Sequence, residues 1–138
     1  MAGHGTDQAI VFESGGRAFA LELDRVECII EKNAVTPVPN MPAVAEGAVF
    51  YRDRVLPVIK LPELLKMTGE MNGSLMVVVR GEYGDFGLSS GRIYGIIPSN
   101  MLKLKSIPFE ERENQYICGI GKFNEVEFSL LDFENKGM

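Results

Sequence analysis

Phe19-Ala20-Leu21-Glu22-Leu23-Asp24-Arg25-Val26-Glu27-Cys28-Ile29-Ile30 has an echo later in the chain, Phe86-Gly87-Leu88-Ser89-Ser90-Gly91-Arg92-Ile93-Tyr94-Gly95-Ile96-Ile97. Five of the twelve pairs are identical: Phe19 with Phe86, Leu21 with Leu88, Arg25 with Arg92, Ile29 with Ile96 and Ile30 with Ile97. Asn33 and Asn100 extend the register. At a spacing larger by five, Gly47 aligns with Gly119, Tyr51 with Phe123, Val58-Ile59 with Leu130-Leu131 and Leu61 with Phe133. An insertion or deletion near Glu110 to Gln115 accounts for the change. Similarity of a chain to itself at a fixed offset is the mark of a duplicated unit, here a pair of strands. The competing reading is a chance match between apolar strands separated by glycine.

The repeated stretch is β in character. From Arg17 to Leu23, Phe19, Leu21 and Leu23 fall on one face and Ala18, Ala20 and Glu22 on the other, the period of a half-buried strand. Ser14-Gly15-Gly16 before it can supply positive φ, so Ala9 to Phe12 is its hairpin partner. Similar segments follow at Val26 to Ile30, Gly47 to Tyr51, Val55 to Ile59, Leu75 to Arg80, Phe86 to Ser89, Ile93 to Ile97, Leu102 to Lys105, Tyr116 to Lys122 and Val126 to Leu131, giving about ten strands. Only Leu61 to Met67 has helical spacing, with Leu61, Leu64 and Leu65 on one face and Pro62 suited to a first turn. A chain of 138 residues buries a real core without disulfide or metal. Duplication predicts two small β subdomains that pack on each other, each near the size at which one core barely suffices.

Composition narrows the function. The formal charge of −5, from 14 Lys and Arg against 19 Asp and Glu, provides no basic field to gather phosphates. Neither nucleic acid nor an anionic membrane is an expected partner. The longest apolar run, Leu75 to Val79, is far short of the roughly 20 residues of a spanning helix. Met1 to Gln8 has no apolar signal-peptide region, so a cytoplasmic protein is expected. The only histidine, His4, falls in a tail, residues 1–7, expected to be disordered. That leaves no rigid imidazole for a Ser-His-Asp or Cys-His nucleophile. Cys28 and Cys118 lack C-x-x-C spacing and read as buried free thiols, too few for a zinc site. No catalytic residue, cofactor or metal is expected.

Gly15-Gly16 and Gly119-Ile120-Gly121 read as turn and strand-end glycines, because a phosphate cradle needs G-x-G-x-x-G between strand and helix. Asp85, Glu110, Glu111, Glu113, Glu125, Glu127, Asp132 and Glu134 read as solvated surface, although a carboxylate pair about 5–9 Å apart can hydrolyse a glycoside. Arg52-Asp53-Arg54 reads as a charged turn. Among Met41, Met67, Met71, Met76 and Met101, the loop residues Met41 and Met71 are the contact candidates, core gap-filling being the commoner use of methionine. Only one of Phe50 and Tyr51 can enter a core, since successive strand residues face opposite ways.

Read in order, Ala9-Ile10-Val11-Phe12, Phe19-Ala20-Leu21, Val26-Glu27-Cys28-Ile29, Thr36-Pro37-Val38-Pro39, Gly47, Arg52, Val55-Leu56-Pro57-Val58-Ile59, Gly87-Leu88 and Leu130-Leu131-Asp132 resemble the CheW-like domain, over about residues 8–134. Residues 135–138 remain as a C-terminal tail. Pro37, Pro39, Gly47, Arg52 and Val55-Leu56-Pro57-Val58 in that order are the more specific part. The resemblance implies a mainly β fold: two small five-stranded β-barrels, SH3- or OB-like, packed together, with one or two short helices. It implies a non-catalytic adaptor of chemotaxis signal transduction, coupling the cytoplasmic tip of a chemoreceptor to the regulatory domain of a CheA-type histidine kinase. By position, the receptor side is a groove between subdomains lined by Val26, Cys28 and Ile29 from one and Ile93, Gly95 and Ile96 from the other. Arg52 takes the place of the arginine in the family's N-L-R-G turn, and the kinase-facing edge falls at Ser74 and Leu75. An apolar seam can accept a helical hairpin, and an exposed strand edge can pack on a similar barrel.

The chain also departs from the family's pattern. Phe50-Tyr51-Arg52-Asp53 loses the asparagine and glycine of N-L-R-G, and Lys60 stands where an aspartate is expected after Pro57-Val58-Ile59. Ser90-Gly91 replaces Val-Asp, and Cys28 holds a position where glutamate is common. Aspartate for glycine is costly where φ is positive, which predicts a turn of changed shape, and Lys60 predicts altered partner contacts. Two readings from other classes stand beside this one. A small β-barrel that binds or hydrolyses an oligosaccharide is disfavoured by the absence of tryptophan. Single-stranded nucleic-acid binding is disfavoured by the acidic balance and the lack of interleaved arginine and aromatic residues.

Overall fold

The computed structural model describes residues 8–32, 35–67, 73–82, 84–112 and 114–133. His4, Asn33, Met71, Glu113, Glu134 and both tails lie outside them. The described chain runs β1 (Gln8–Ser14), β2 (Arg17–Glu22), β3 (Val26–Glu31), β4 (Ala45–Tyr51), β5 (Arg54–Ile59), α1 (Leu61–Leu64), β6 (Leu75–Val79), β7 (Phe86–Ser90), β8 (Arg92–Pro98), β9 (Lys105–Ser106), β10 (Ile117–Phe123) and β11 (Val126–Leu131). The strands form a six-stranded sheet, in order β8-β1-β2-β11-β10-β9, and a five-stranded sheet, β3-β6-β7-β5-β4.

Three apolar clusters explain why both sheets stand. The central one joins Ile10, Phe12, Phe19 and Leu21 of the first sheet to Val77, Val79 and Leu88 of the second, with Leu61 and Leu65 of the α1 region beside them. Alternate residues of the same strands face away from it. Ala9, Val11 and Ala20 pack with Ile97, Leu102 and Phe128, while Met76 and Val78 pack with Val49, Leu56 and Val58. Period-two alternation therefore feeds two cores from one strand. This is why Leu75 to Val79 is an unbroken apolar run. The buried hydroxyls at the junction of the sheets are satisfied: Ser14 Oγ donates to Ser89 O at 2.8 Å and Ser90 Oγ to Glu13 O at 3.1 Å.

Equivalent strands of the two sheets carry equivalent irregularities. The chain crosses from the six-stranded to the five-stranded sheet between β2 and β3, and back between β7 and β8. β3 carries a bulge between Val26 and Cys28, and β8 carries one where Ile93 and Gly95 pair with successive residues of β1. The parallel pairs also correspond: Val58 lies opposite Gly87 and Leu130 opposite Ala20. Two-residue turns with both φ positive close three hairpins, at Gly15-Gly16, Arg52-Asp53 and Asn124-Glu125.

Several expectations are corrected. The sheets are not closed barrels, and one has six strands. Closure needs continuous pairing between the two edges at a fixed stagger; β9 has two residues, and a single bridge from Thr36 to Ala48 extends the sheet beyond β4. β2 is not half-buried: Phe19, Ala20 and Leu21 are all buried, because small alanines fill the tight inner side of its own sheet. The strand expected at Leu102 to Lys105 starts later. Ser99–Met101 form a 3₁₀ turn, Leu102 plugs the core and Lys103 has φ +47°. The helix is a single turn. It ends where Lys66 takes φ +57°, with Met67 N–H donating to Pro62 O and Lys66 N–H to Glu63 O, the 6→1 and 5→2 bonds of a Schellman stop. Cys28 and Cys118 are half-buried free thiols, and burial pushes the Cys118 thiol up from its ordinary value.

Candidate partner-binding site

β3 and β8, the strands that carry most of the expected receptor groove, are the edges of their respective sheets. Directly paired residues share a face, so register decides where each side chain goes. Val26 lies opposite Val79, Ile29 opposite Val77, Ile93 opposite Phe12 and Ile96 opposite Ile10. The four partners all belong to the central core. Val26 is buried in that core and Ile93 packs half-buried against it. Ile29 and Ile96 extend the same apolar face outward onto the two edges, where they are 36% and 49% exposed.

Cys28 and Gly95 belong to the opposite face. They pair with Val78 and Val11, whose side chains enter the two outlying cores. The bulges cause this, since one extra residue turns the following side chain over. Cys28 Sγ lies 3.0 Å from the Tyr51 hydroxyl. That hydrogen bond, and after it burial, raises the Tyr51 phenol above its ordinary value. Arg52 sits in the exposed β4–β5 turn with its guanidinium 5.3 Å from the Tyr51 ring centre. Arg52 and Asp53, at φ +48° and +65°, close a two-residue hairpin in which Tyr51 faces Arg54. Aspartate is among the residues that best tolerate this conformation. The neighbouring Phe50 points outward, 80% exposed, while Tyr51 packs on the outlying core.

The strongest electrostatic feature was legible only in part. Asp85 reads from sequence as solvated, yet Arg54 donates to it and, at 2.7 and 2.8 Å, to both oxygens of Glu27, the bulge residue of β3. The Arg54 hydrogen bond holds the Asp85 carboxyl below its usual range. Lys32 Nζ contacts Glu46 at 3.3 Å and donates to Ser89 Oγ at 3.1 Å, and Ser89 Oγ donates to Glu46 at 3.0 Å. Nothing local favours the lysine at position 60. It is the N-cap residue of α1 and supplies no side-chain hydrogen bond, as an ammonium cannot accept one.

Ser74 is exposed and Leu75 half-buried, at the start of β6. β6 is flanked by β3 and β7, so these residues form a strand end and not a free backbone edge. Ser74 O accepts the Lys32 N–H at 2.7 Å. Among the described residues no cluster of three His, Cys, Asp or Glu could hold a metal, and no helix is long and apolar enough to cross a membrane.

Ile29, Phe50, Tyr94 and Ile96 put exposed apolar side chains on the edge strands β3, β4 and β8 of this two-sheet β protein, surfaces of the kind that suit contact with other proteins. Residues 8–135 match the family model described as a CheW-like domain, and the chain belongs to that family. It is 30% identical over 103 residues to the chemotaxis protein CheW of Thermotoga maritima, covering 72% of this chain and 68% of that one. It is 27% identical over 120 residues to the chemotaxis protein CheW of Treponema pallidum, covering 83% and 67%. The crystal structure of the scaffolding protein TtCheW from Thermoanaerobacter tengcongensis has the same fold, with a TM-score of 0.79 over 99% of this chain and 93% of that one at 17% identity.

Proposed function

We propose that this protein is a non-catalytic adaptor of chemotaxis signalling that couples a chemoreceptor to a CheA-type histidine kinase, working in the cytoplasm. Membership of the CheW-like family over nearly the whole described chain carries this reading. The register adds a physical reason, because Ile29 and Ile96 prolong one buried apolar face onto two sheet edges. Such a face suits the cytoplasmic tip of a receptor, a helical hairpin with an apolar stripe. In this reading Ile29, Ile93 and Ile96 touch the receptor, Val26 supports them from the core, and Cys28, Gly95 and Arg52 shape the neighbouring surface. The kinase regulatory domain is met at Ser74 and Leu75. Residues 8–134 act as one domain whose second β subdomain derives from the first by duplication.

The test is titration calorimetry of the protein against a receptor-tip fragment and, separately, a CheA-type regulatory domain. The Ile29→Asp, Ile96→Asp variant is expected to lose receptor binding by at least tenfold while keeping kinase binding. Each buried apolar anchor contributes on the order of 1–2 kcal/mol at an interface. A wild type that binds neither partner at tens of micromolar refutes the coupling role. A variant that binds the receptor fragment normally refutes the site.

A further inference from the structure

A second surface meets the coupling face only at β8. A groove of about 660 Å³ opens beside the six-stranded sheet, lined by the cations Arg17, Lys103, Lys105 and Lys122 against a single carboxylate, Glu127. This local excess sits on a chain whose formal charge is −5. Among the described residues none of the four cations is held in an ion pair. Two cations elsewhere are held by carboxylates, Arg54 by Glu27 and Asp85 and Lys32 by Glu46; what sets the groove apart is that four cations converge on it. Lysines often guard free strand edges, which covers Lys103 and Lys105 beside β9. It does not cover Arg17 on β2 or Lys122 on β10, both interior strands. The groove is also apolar in part. Tyr94 and Ile120, both exposed, line it, and Arg92 lies 5.0 Å over the Tyr94 ring as a fifth cation.

We infer that this groove is a docking site for an acidic segment of a partner protein that also carries apolar side chains. Unmatched cations around exposed apolar residues fit carboxylates interleaved with aliphatic or aromatic groups. A nucleic acid fits less well: Tyr94 is a single ring already covered by Arg92, whereas strand binding uses successive rings, and the net negative charge repels a long polyanion. The groove meets the proposed receptor face only at β8, where Tyr94 stands between Ile93 and Gly95; its four cations, on β2, β10 and the β9 region, take no part in that face.

The full chain, labelled with ¹⁵N, is titrated with a short peptide alternating glutamate and leucine, and in parallel with an oligothymidine of the same length. Peptide-induced shifts are expected at Arg17, Ala18, Tyr94, Lys103, Ile120 and Lys122. Lys103→Glu, Lys122→Glu is expected to weaken the peptide about tenfold at low salt, a difference that vanishes at about 1 M salt, where the Debye length is about 3 Å. Lys66→Glu, Arg80→Glu carries the same change of net charge elsewhere and is expected to leave binding within about twofold. Arg17→Glu, Lys105→Glu repeats the test should the first variant melt early. Equal loss in the Lys66/Arg80 control, shifts outside the groove, no saturable binding, or tighter binding of the oligothymidine each overturns the inference.

Discussion

Gly47 offers a sharp test of how the five-stranded sheet is closed off. An added Cβ there would lie 2.5 Å from Thr36 O, 2.8 Å from Val35 Cγ1 and 2.9 Å from Thr36 C. Comfortable contacts begin near 3.5 Å, so Gly47→Ala must push the Thr36 segment back by about 1 Å. That segment is held by Thr36 N–H donating to Ala48 O and Ala48 N–H donating to Thr36 O, both at 2.9 Å. Losing the two bonds costs about 1 kcal/mol each. The φ of +155°, unsuited to a side chain, adds about 1 kcal/mol. The expected total is about 3 kcal/mol, a fall of more than about 1 M in the urea midpoint. Amide exchange at Thr36 and Ala48 should quicken about 30-fold, the equivalent of about 2 kcal/mol. An unchanged midpoint with both amides still protected would refute the reasoning.

Lys60→Asp places an acceptor at the uncapped start of α1 and is expected to raise stability by about 0.5–1 kcal/mol; a lower melting temperature would contradict it. Asp85 has its carboxyl pKa depressed by Arg54. Its contribution is therefore present above the ordinary carboxylate pKa of about 4 and is lost as pH falls through the depressed value. Asp85→Asn should be less stable than wild type at neutral pH, with the gap closing below about pH 4 in urea melts; a gap independent of pH would exclude the ion pair as its cause. Met76 is fully buried, and its Sδ lies 2.3 Å from where a Cβ on Gly87 would fall. Met76→Ala is expected to cost about 2–5 kcal/mol, and adding Gly87→Ala should cost less in that background than in wild type, as a double-mutant cycle would measure.

How much of this was readable beforehand depended on the range of the interaction. Gly15-Gly16 and Arg52-Asp53 mark hairpins locally, and both turns stand where their sequence places them. Phe50 and Tyr51 divide between solvent and core as alternation requires. Ala18 and Ala20 mislead because a small side chain reads as polar-facing by default, while a curved sheet uses it on the inside. The bulges at Glu27 and Tyr94 leave no mark in single-residue composition, so the expected groove merges two faces: Ile29 and Ile96 on one, Cys28 and Gly95 on the other. The Arg54 ion pairs and the basic groove were hidden for a different reason. Glu27, Arg54 and Asp85 come from three strand regions, and Arg17, Lys105 and Lys122 meet only once β2, β9 and β10 share a sheet. The whole-chain charge averages such a groove away.

The two sheets also differ in when they can be completed. All five strands of one, β3 to β7, are consecutive, whereas the other combines β1 and β2 with β8 to β11. Its β2 joins β11 through Phe19 and Ser129, while in the consecutive sheet β5 joins β7 through Val58 and Gly87. Wider loops close at greater entropic cost, and non-local pairing is slow. During synthesis the β1–β2 hairpin emerges first and then waits, β1 for β8 and β2 for the last strand, β11. A nascent chain stalled after β7 would therefore carry one finished sheet beside one open hairpin with Ala9, Val11 and Ala20 uncovered, since Ile97, Leu102 and Phe128 are still to come. Exposed apolar surface and unpaired strand edges of this kind are what make a folding intermediate prone to aggregate.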